Sequence, residues 1–128
     1  MIRRGMTLME VVVAGVLLFA LMATCVRYFV VTRMQERALD QRQAALQEAA
    51  NVMERLMPRP FNELTPESVS HISLSRETQR ILPRGELKIE LRGEDAKPPA
   101  MRIMVTIRWQ DQNNEWTRPV RLAAWRYQ

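Results

Sequence analysis

Residues 6–26 form an apolar run of 21 residues whose only charged member is Glu10. At about 1.5 Å per helical residue the run reaches roughly 30 Å, the thickness of bilayer hydrocarbon. It therefore reads as a membrane segment. An ionisable group inside such a segment costs at least a few kcal/mol on the mildest insertion scales, about 2.5 to 3.5, so Glu10 calls for a partner or a task.

Arg3 and Arg4 stand immediately ahead of Gly5, and Glu10 lies four residues beyond Met6. A cut after Gly5 would give Met6 a free α-amine with Glu10 one helical turn away on the same face. A neighbouring copy displaced along the helix axis would then bring its own amine to this carboxylate. Pairing of that kind offsets the burial of both charges and sets an axial register between subunits.

Gly5-Met6-Thr7-Leu8-Met9-Glu10 resembles the processing site of type IV prepilins and of the pseudopilins of type II secretion. The resemblance covers about the first 30 residues. It implies that Gly5 is the last residue of a leader with Arg3 and Arg4 as its basic charges. It further implies that a prepilin peptidase cleaves after Gly5 and N-methylates Met6, and that Glu10 is the assembly carboxylate. Met6 replaces the Phe more common at that place in the family. The partners implied are other pilins or pseudopilins in a filament, the peptidase, an inner-membrane assembly platform and the membrane itself. The localisation implied is the bacterial inner membrane, single-pass, with the C-terminal domain on the periplasmic side.

Other readings of this segment remain. An ordinary secretory signal is opposed by Glu10 at the start of the apolar core and by the lack of an A-x-A site after it. A lipoprotein site at Met22-Ala23-Thr24-Cys25 lacks the small residue before the Cys. A plain single-pass anchor with an incidental Glu10 also fits the length. Charge counting leaves topology open, because Arg27, Arg33 and Arg37 flank the far end of the run as Arg3 and Arg4 flank the near end.

Cys25 is the sole cysteine and lies within the apolar run, so an exported domain has no intrachain disulfide. Major adhesive pilins usually close a C-terminal loop in that way. The small size, the processed Met and the terminal Trp125-Arg126-Tyr127 look most similar to I-type minor pseudopilins. A minor pilin of a type IV pilus and a DNA-uptake pilin are the alternatives within the family.

Downstream, Ala38, Leu39, Arg42, Ala45, Leu46, Ala49, Val52, Met53 and Leu56 recur at helical spacing, with Leu39, Leu46 and Met53 seven apart. No Gly or Pro interrupts residues 16–57, and Pro58 and Pro60 forbid continuation. One helix over residues 6–57 would be about 78 Å long. Residues 58–85, with Pro58, Pro60, Pro66 and Pro83, read as a connector in which Thr65 is a possible N-cap ahead of Pro66. Leu87, Ile89 and Leu91, then Ile103, Val105 and Ile107, then Val120, Leu122 and Ala124 alternate with polar residues as half-buried strands. The expected fold is α+β, a long N-terminal helix whose distal half packs on a three-stranded antiparallel sheet. Its segments are a leader at 1–5, a membrane or filament-core helix at 6–31, an amphipathic helix at 32–57, the connector at 58–85 and the sheet at 86–128.

The formal charge of +5 would fall on removal of Arg3 and Arg4, leaving 17 basic against 14 acidic residues. Trp109, Trp116, Trp125 and Tyr127 beside Arg108, Arg118, Arg121 and Arg126 suggest covered sheet ends and lateral contacts. Stacking on single-stranded nucleic acid is the less favoured reading of the same residues, because no binding motif accompanies them. His71 stands alone in the connector, and no triad, phosphate loop or ligand cluster can be assembled, so neither catalysis nor a cofactor is expected. Asp111, Asn113 and Glu115 alternate like part of a calcium loop but lack its central Gly and remaining ligands, so a polar turn is expected there.

Overall fold

The computed structural model describes residues 5–95 and 97–128. The chain divides into two compact units, Met1–Ala38 and Leu39–Gln128. One helix, α1 (Leu8–Leu56, 49 residues), belongs to both. It stops where the sequence requires, since Pro58 supplies no N–H and its ring excludes a helical predecessor.

In the C-terminal unit α1 packs on a three-stranded antiparallel sheet of order β1-β2-β3, giving an α+β fold. The strands are β1 (Glu86–Glu94), β2 (Ala100–Arg108) and β3 (Val120–Tyr127). Ile103 on β2 is flanked by Leu91 and Ala124, Val105 by Ile89 and Leu122, and Ile107 by Leu87 and Val120. Because opposite residues of an antiparallel pair share a face, these rows form one apolar layer. Ile103, Val105 and Ile107 are fully buried beneath it, as are Ala45, Ala49, Val52 and Leu56 from α1 to within 1% exposure. Each fully buried Leu, Ile or Val contributes about 1.5 to 3 kcal/mol.

The expected face is buried at Ala45, Ala49, Val52, Met53 and Leu56, with a shift at its edge. Leu39 and Leu46 of the seven-residue series are exposed, whereas the carboxylate residue Glu48 is buried among the core residues. Glu48 reaches the connector instead of water. Its Oε1 accepts from the Ser75 N–H at 2.8 Å, and its Oε2 lies 3.1 Å from the Ser75 hydroxyl and 3.0 Å from that of Thr78. Apolar spacing alone does not reveal such a bond, and it rotates the buried stripe toward residues 45, 48, 49, 52, 53 and 56.

Nor is the connector simply a loop. It contains a 3-10 turn at Phe61–Glu63, α2 (Pro66–Ser70) and α3 (Arg76–Ile81). Thr65 caps α2 with Pro66 in the first turn, as expected, and Ser68 completes a reciprocal capping box. Ser75 caps α3, a helix too short to show periodicity. Leu64, Val69, Leu74 and Leu82 from this region enter the core. Trp109 is also internal, 3% exposed, with its indole N–H donating to Gln41 Oε1 at 3.2 Å, while Gln41 Nε2 donates to the Ile81 carbonyl. The terminal strand is tied back by Arg126, whose Nη1 donates to the Arg59 carbonyl just beyond α1, where a cation complements the helix dipole.

Gly85 marks a tight approach within the connector, at the entry to β1. A Cβ there would stand 2.9 Å from Leu74 Cδ1 and 3.2 Å from Leu82 Cβ, both on buried side chains. Gly85→Ala is therefore expected to destabilise the C-terminal unit by about 1 to 3 kcal/mol through overpacking, seen as a lower urea midpoint in circular dichroism. An unchanged midpoint would show that Leu74 yields without strain.

Candidate assembly site

The N-terminal unit has no core of its own. Every residue over 8–31 is exposed, with Leu8 at 83% and Phe19 at 76%. Leaving one such side chain in water instead of burying it forgoes about 1.5 to 3 kcal/mol. Across this many Leu, Val, Met and Phe residues the deficit is too large for a solvated helix, so the surface requires lipid or other apolar helices. The helix is long and apolar enough to cross a membrane near the N-terminus, consistent with a single-pass anchor.

The segment's internal bonding suits an apolar medium. The Thr24 hydroxyl donates to the Ala20 carbonyl at 2.8 Å and that of Thr32 to the Tyr28 carbonyl at 2.9 Å. Both hydroxyls are thus satisfied by their own helix, where hydrocarbon offers no partner. Cys25 is a free thiol exposed on the same apolar surface.

At the entry to α1, Thr7 and Glu10 form a reciprocal pair. The Glu10 N–H donates to Thr7 Oγ1 at 3.3 Å, and Glu10 Oε2 accepts from the Thr7 N–H at 2.9 Å and from its hydroxyl at 3.2 Å. The Val11 N–H donates to the Thr7 carbonyl. Thr7-Leu8-Met9-Glu10 is therefore a capping box of the S/T-x-x-E kind. The T-x-x-E spacing of this box is visible in the sequence. The carboxylate consequently satisfies helix-start donors and lies near the positive end of the helix dipole, which lowers the cost of keeping it in an apolar setting. Glu10 Oε1 takes no hydrogen bond among the described residues. One oxygen is committed to the cap and the other is open to a donor from outside.

Gly5 and Met6 lie ahead of the helix outside any regular element, with Met6 75% exposed and nothing within 4 Å of the position a Gly5 Cβ would occupy. A peptide bond so placed is accessible to a protease. The leader charges expected at Arg3 and Arg4 lie outside the described residues.

The remaining candidates sit elsewhere. His71 is exposed at the C-terminal end of α2. Asp111 Oδ1 accepts from the N–H groups of Asn113 at 2.8 Å and Glu115 at 3.0 Å, closing the polar turn on itself. Asn114 follows at φ 59, a conformation Asn tolerates well. No group of three or more His, Cys, Asp or Glu is placed to hold a metal among the described residues. Of the aromatic cluster, Trp109 is internal, while Arg102 lies over the Trp125 ring at 5.3 Å and Arg108 over the Trp116 ring at 4.3 Å. One face of each outer indole is thus already occupied by an arginine of β2, which leaves less ring surface for base stacking.

No family model, curated protein or solved structure matches the chain.

Proposed function

We propose that this protein is a structural subunit of a pilin-like filament, most similar to the minor pseudopilins of type II secretion, and that chemistry is performed on it, not by it. A prepilin peptidase would cut after Gly5 and methylate Met6, and the apolar part of α1 would pass from the inner membrane into a bundle of like helices. The observation that carries this reading is Glu10. It stands at the start of α1, whose residues 8–31 are all exposed, with one carboxylate oxygen held by Thr7 and the other unpartnered among the described residues. A neighbouring subunit's Met6 amine would complete it. The same apolar surface is satisfied by lipid before assembly and by neighbouring helices afterwards.

The competing reading is a plain single-pass anchor, favoured by the Thr7–Glu10 box, which gives the carboxylate local partners without any neighbour. The mass of the N-terminal peptide from membrane-extracted protein separates the two. The filament reading expects a chain starting at N-methylated Met6, and expects Gly5→Ala to abolish most of that species. A chain retaining residues 1–5, or cut near Cys25, would overturn it.

A further inference from the structure

The face of the sheet turned away from α1 carries a second set of unsatisfied charges. Strand register arranges it in rows: Arg92 opposite Arg102 opposite Trp125, then Glu90, Met104 and Ala123, then Lys88, Thr106 and Arg121, then Glu86 beside Arg108. Two cations are paired, Lys88 with Glu90 at 2.8 Å and Arg108 with Glu86 at 2.6 Å. Arg92, Arg102 and Arg121 have no carboxylate partner among the described residues. Arg92 and Arg102 are like charges directly opposite each other across two strands, an arrangement that destabilises a sheet standing alone. The Arg102 Nε is buried without any hydrogen bond.

These cations focus on one place. Lys88, by hydrogen bond and by charge, and then Arg92 and Arg121, by charge, hold the Glu90 carboxyl below its ordinary range. Glu90 itself, with Glu86, lines an open depression of about 760 Å³ whose other walls include Lys88, Arg92, Met104 and Arg121.

We propose that this outer face docks an extended, carboxylate-bearing segment of a partner protein, with Arg92 and Arg121 as its two principal anchors. An extended segment places alternate side chains on one side about 7 Å apart, so carboxylates on alternate residues can meet cations spread over neighbouring rows. Guanidinium groups bind carboxylates in bidentate fashion, and the half-buried Met104 and Thr106 offer the intervening residues an apolar and a hydroxyl contact. Glu86, Glu90 and Glu94 interspersed on the same face repel a uniform polyanion, which favours a peptide with spaced charges over a nucleic-acid backbone or an anionic lipid surface. The inference stands apart from the reading of the N-terminus, because it uses only residues of the sheet.

The test uses the full-length chain in nonionic detergent and a fluorescein-labelled eight-residue Glu-Thr repeat peptide, followed by anisotropy. Binding is expected at low salt and is expected to weaken at least tenfold in the Arg92→Glu/Arg121→Glu variant, and several-fold in Arg92→Gln/Arg121→Gln, which keeps the side-chain bulk. Both variants should retain the wild-type circular dichroism spectrum, since neither residue enters the core. Absence of binding by the wild type, equal binding by wild type and the glutamine variant, or tighter binding of an eight-residue oligothymidylate would each overturn the proposal.

Discussion

Replacing Glu10 with Ala is expected to leave cleavage after Gly5 intact and to reduce recovery of the protein in sheared filaments, or in crosslinked complexes with neighbouring subunits, by more than tenfold. The magnitude follows from the proposed pair. Removing one partner leaves the other charge uncompensated in an apolar bundle, a loss of about 3 to 5 kcal/mol for a buried pair. The capping box makes the test sharper than a single substitution allows. Glu10→Ala removes both the cap and the charge. Glu10→Gln keeps a side chain able to serve at the third position of the box but carries no charge, and Thr7→Val removes the cap hydroxyl while keeping the charge. Charge pairing predicts that Glu10→Gln assembles as poorly as Glu10→Ala and that Thr7→Val assembles nearly normally. The reverse order would assign Glu10 to the helix start alone and would favour the single-pass anchor.

Glu48→Ala is expected to have the largest effect on the stability of the C-terminal unit. Glu48 is 7% exposed and accepts from Ser75 and Thr78, which belong to the start of α3. Its loss strips the Ser75 N–H and the Thr78 hydroxyl of their acceptor in a largely buried setting, while the Ser75 hydroxyl keeps Thr78 Oγ1 at 2.8 Å. Each unsatisfied group costs about 1 to 3 kcal/mol, so a total of about 3 kcal/mol is a fair expectation against a domain stability of about 5 to 15. Urea unfolding followed by circular dichroism measures it. The variants Ser75→Ala and Thr78→Val should each cost less, and combining either with Glu48→Ala should be markedly less than additive. Additive behaviour would show that the three groups do not act together.

The strands are legible because each alternates with period two, and the apolar helix because its run is unbroken over 21 residues but for Glu10. Ile103, Val105 and Ile107 alternate without interruption, and all three are fully buried. The connector was less legible for the opposite reason: α3 has only six residues, and what holds it is a bond from Ser75 and Thr78 to Glu48, 27 and 30 residues away. Glu48 itself reads as a solvated residue of an amphipathic helix until its partners are seen. At the N-terminus the same residues carry two patterns, the prepilin-like run from Gly5 to Glu10 and the T-x-x-E spacing of a capping box, and Thr7 takes one carboxylate oxygen through the second. The unsatisfied arginines of the outer sheet face emerge only once strand register sets Arg92 against Arg102.

The distribution of the three tryptophans has a practical consequence. Trp109 is 3% exposed and bonded to Gln41, whereas Trp116 and Trp125 are 45% and 47% exposed and lie against arginines. Emission from Trp109 should be shielded from iodide and respond to loss of the native core, while the other two should be quenched freely in the folded state. The chain thus carries separate intrinsic optical reporters for the integrity of its interior and for the occupancy of its surface. Variants of Glu48 and of the outer arginines can be told apart in one titration without an added dye on the protein.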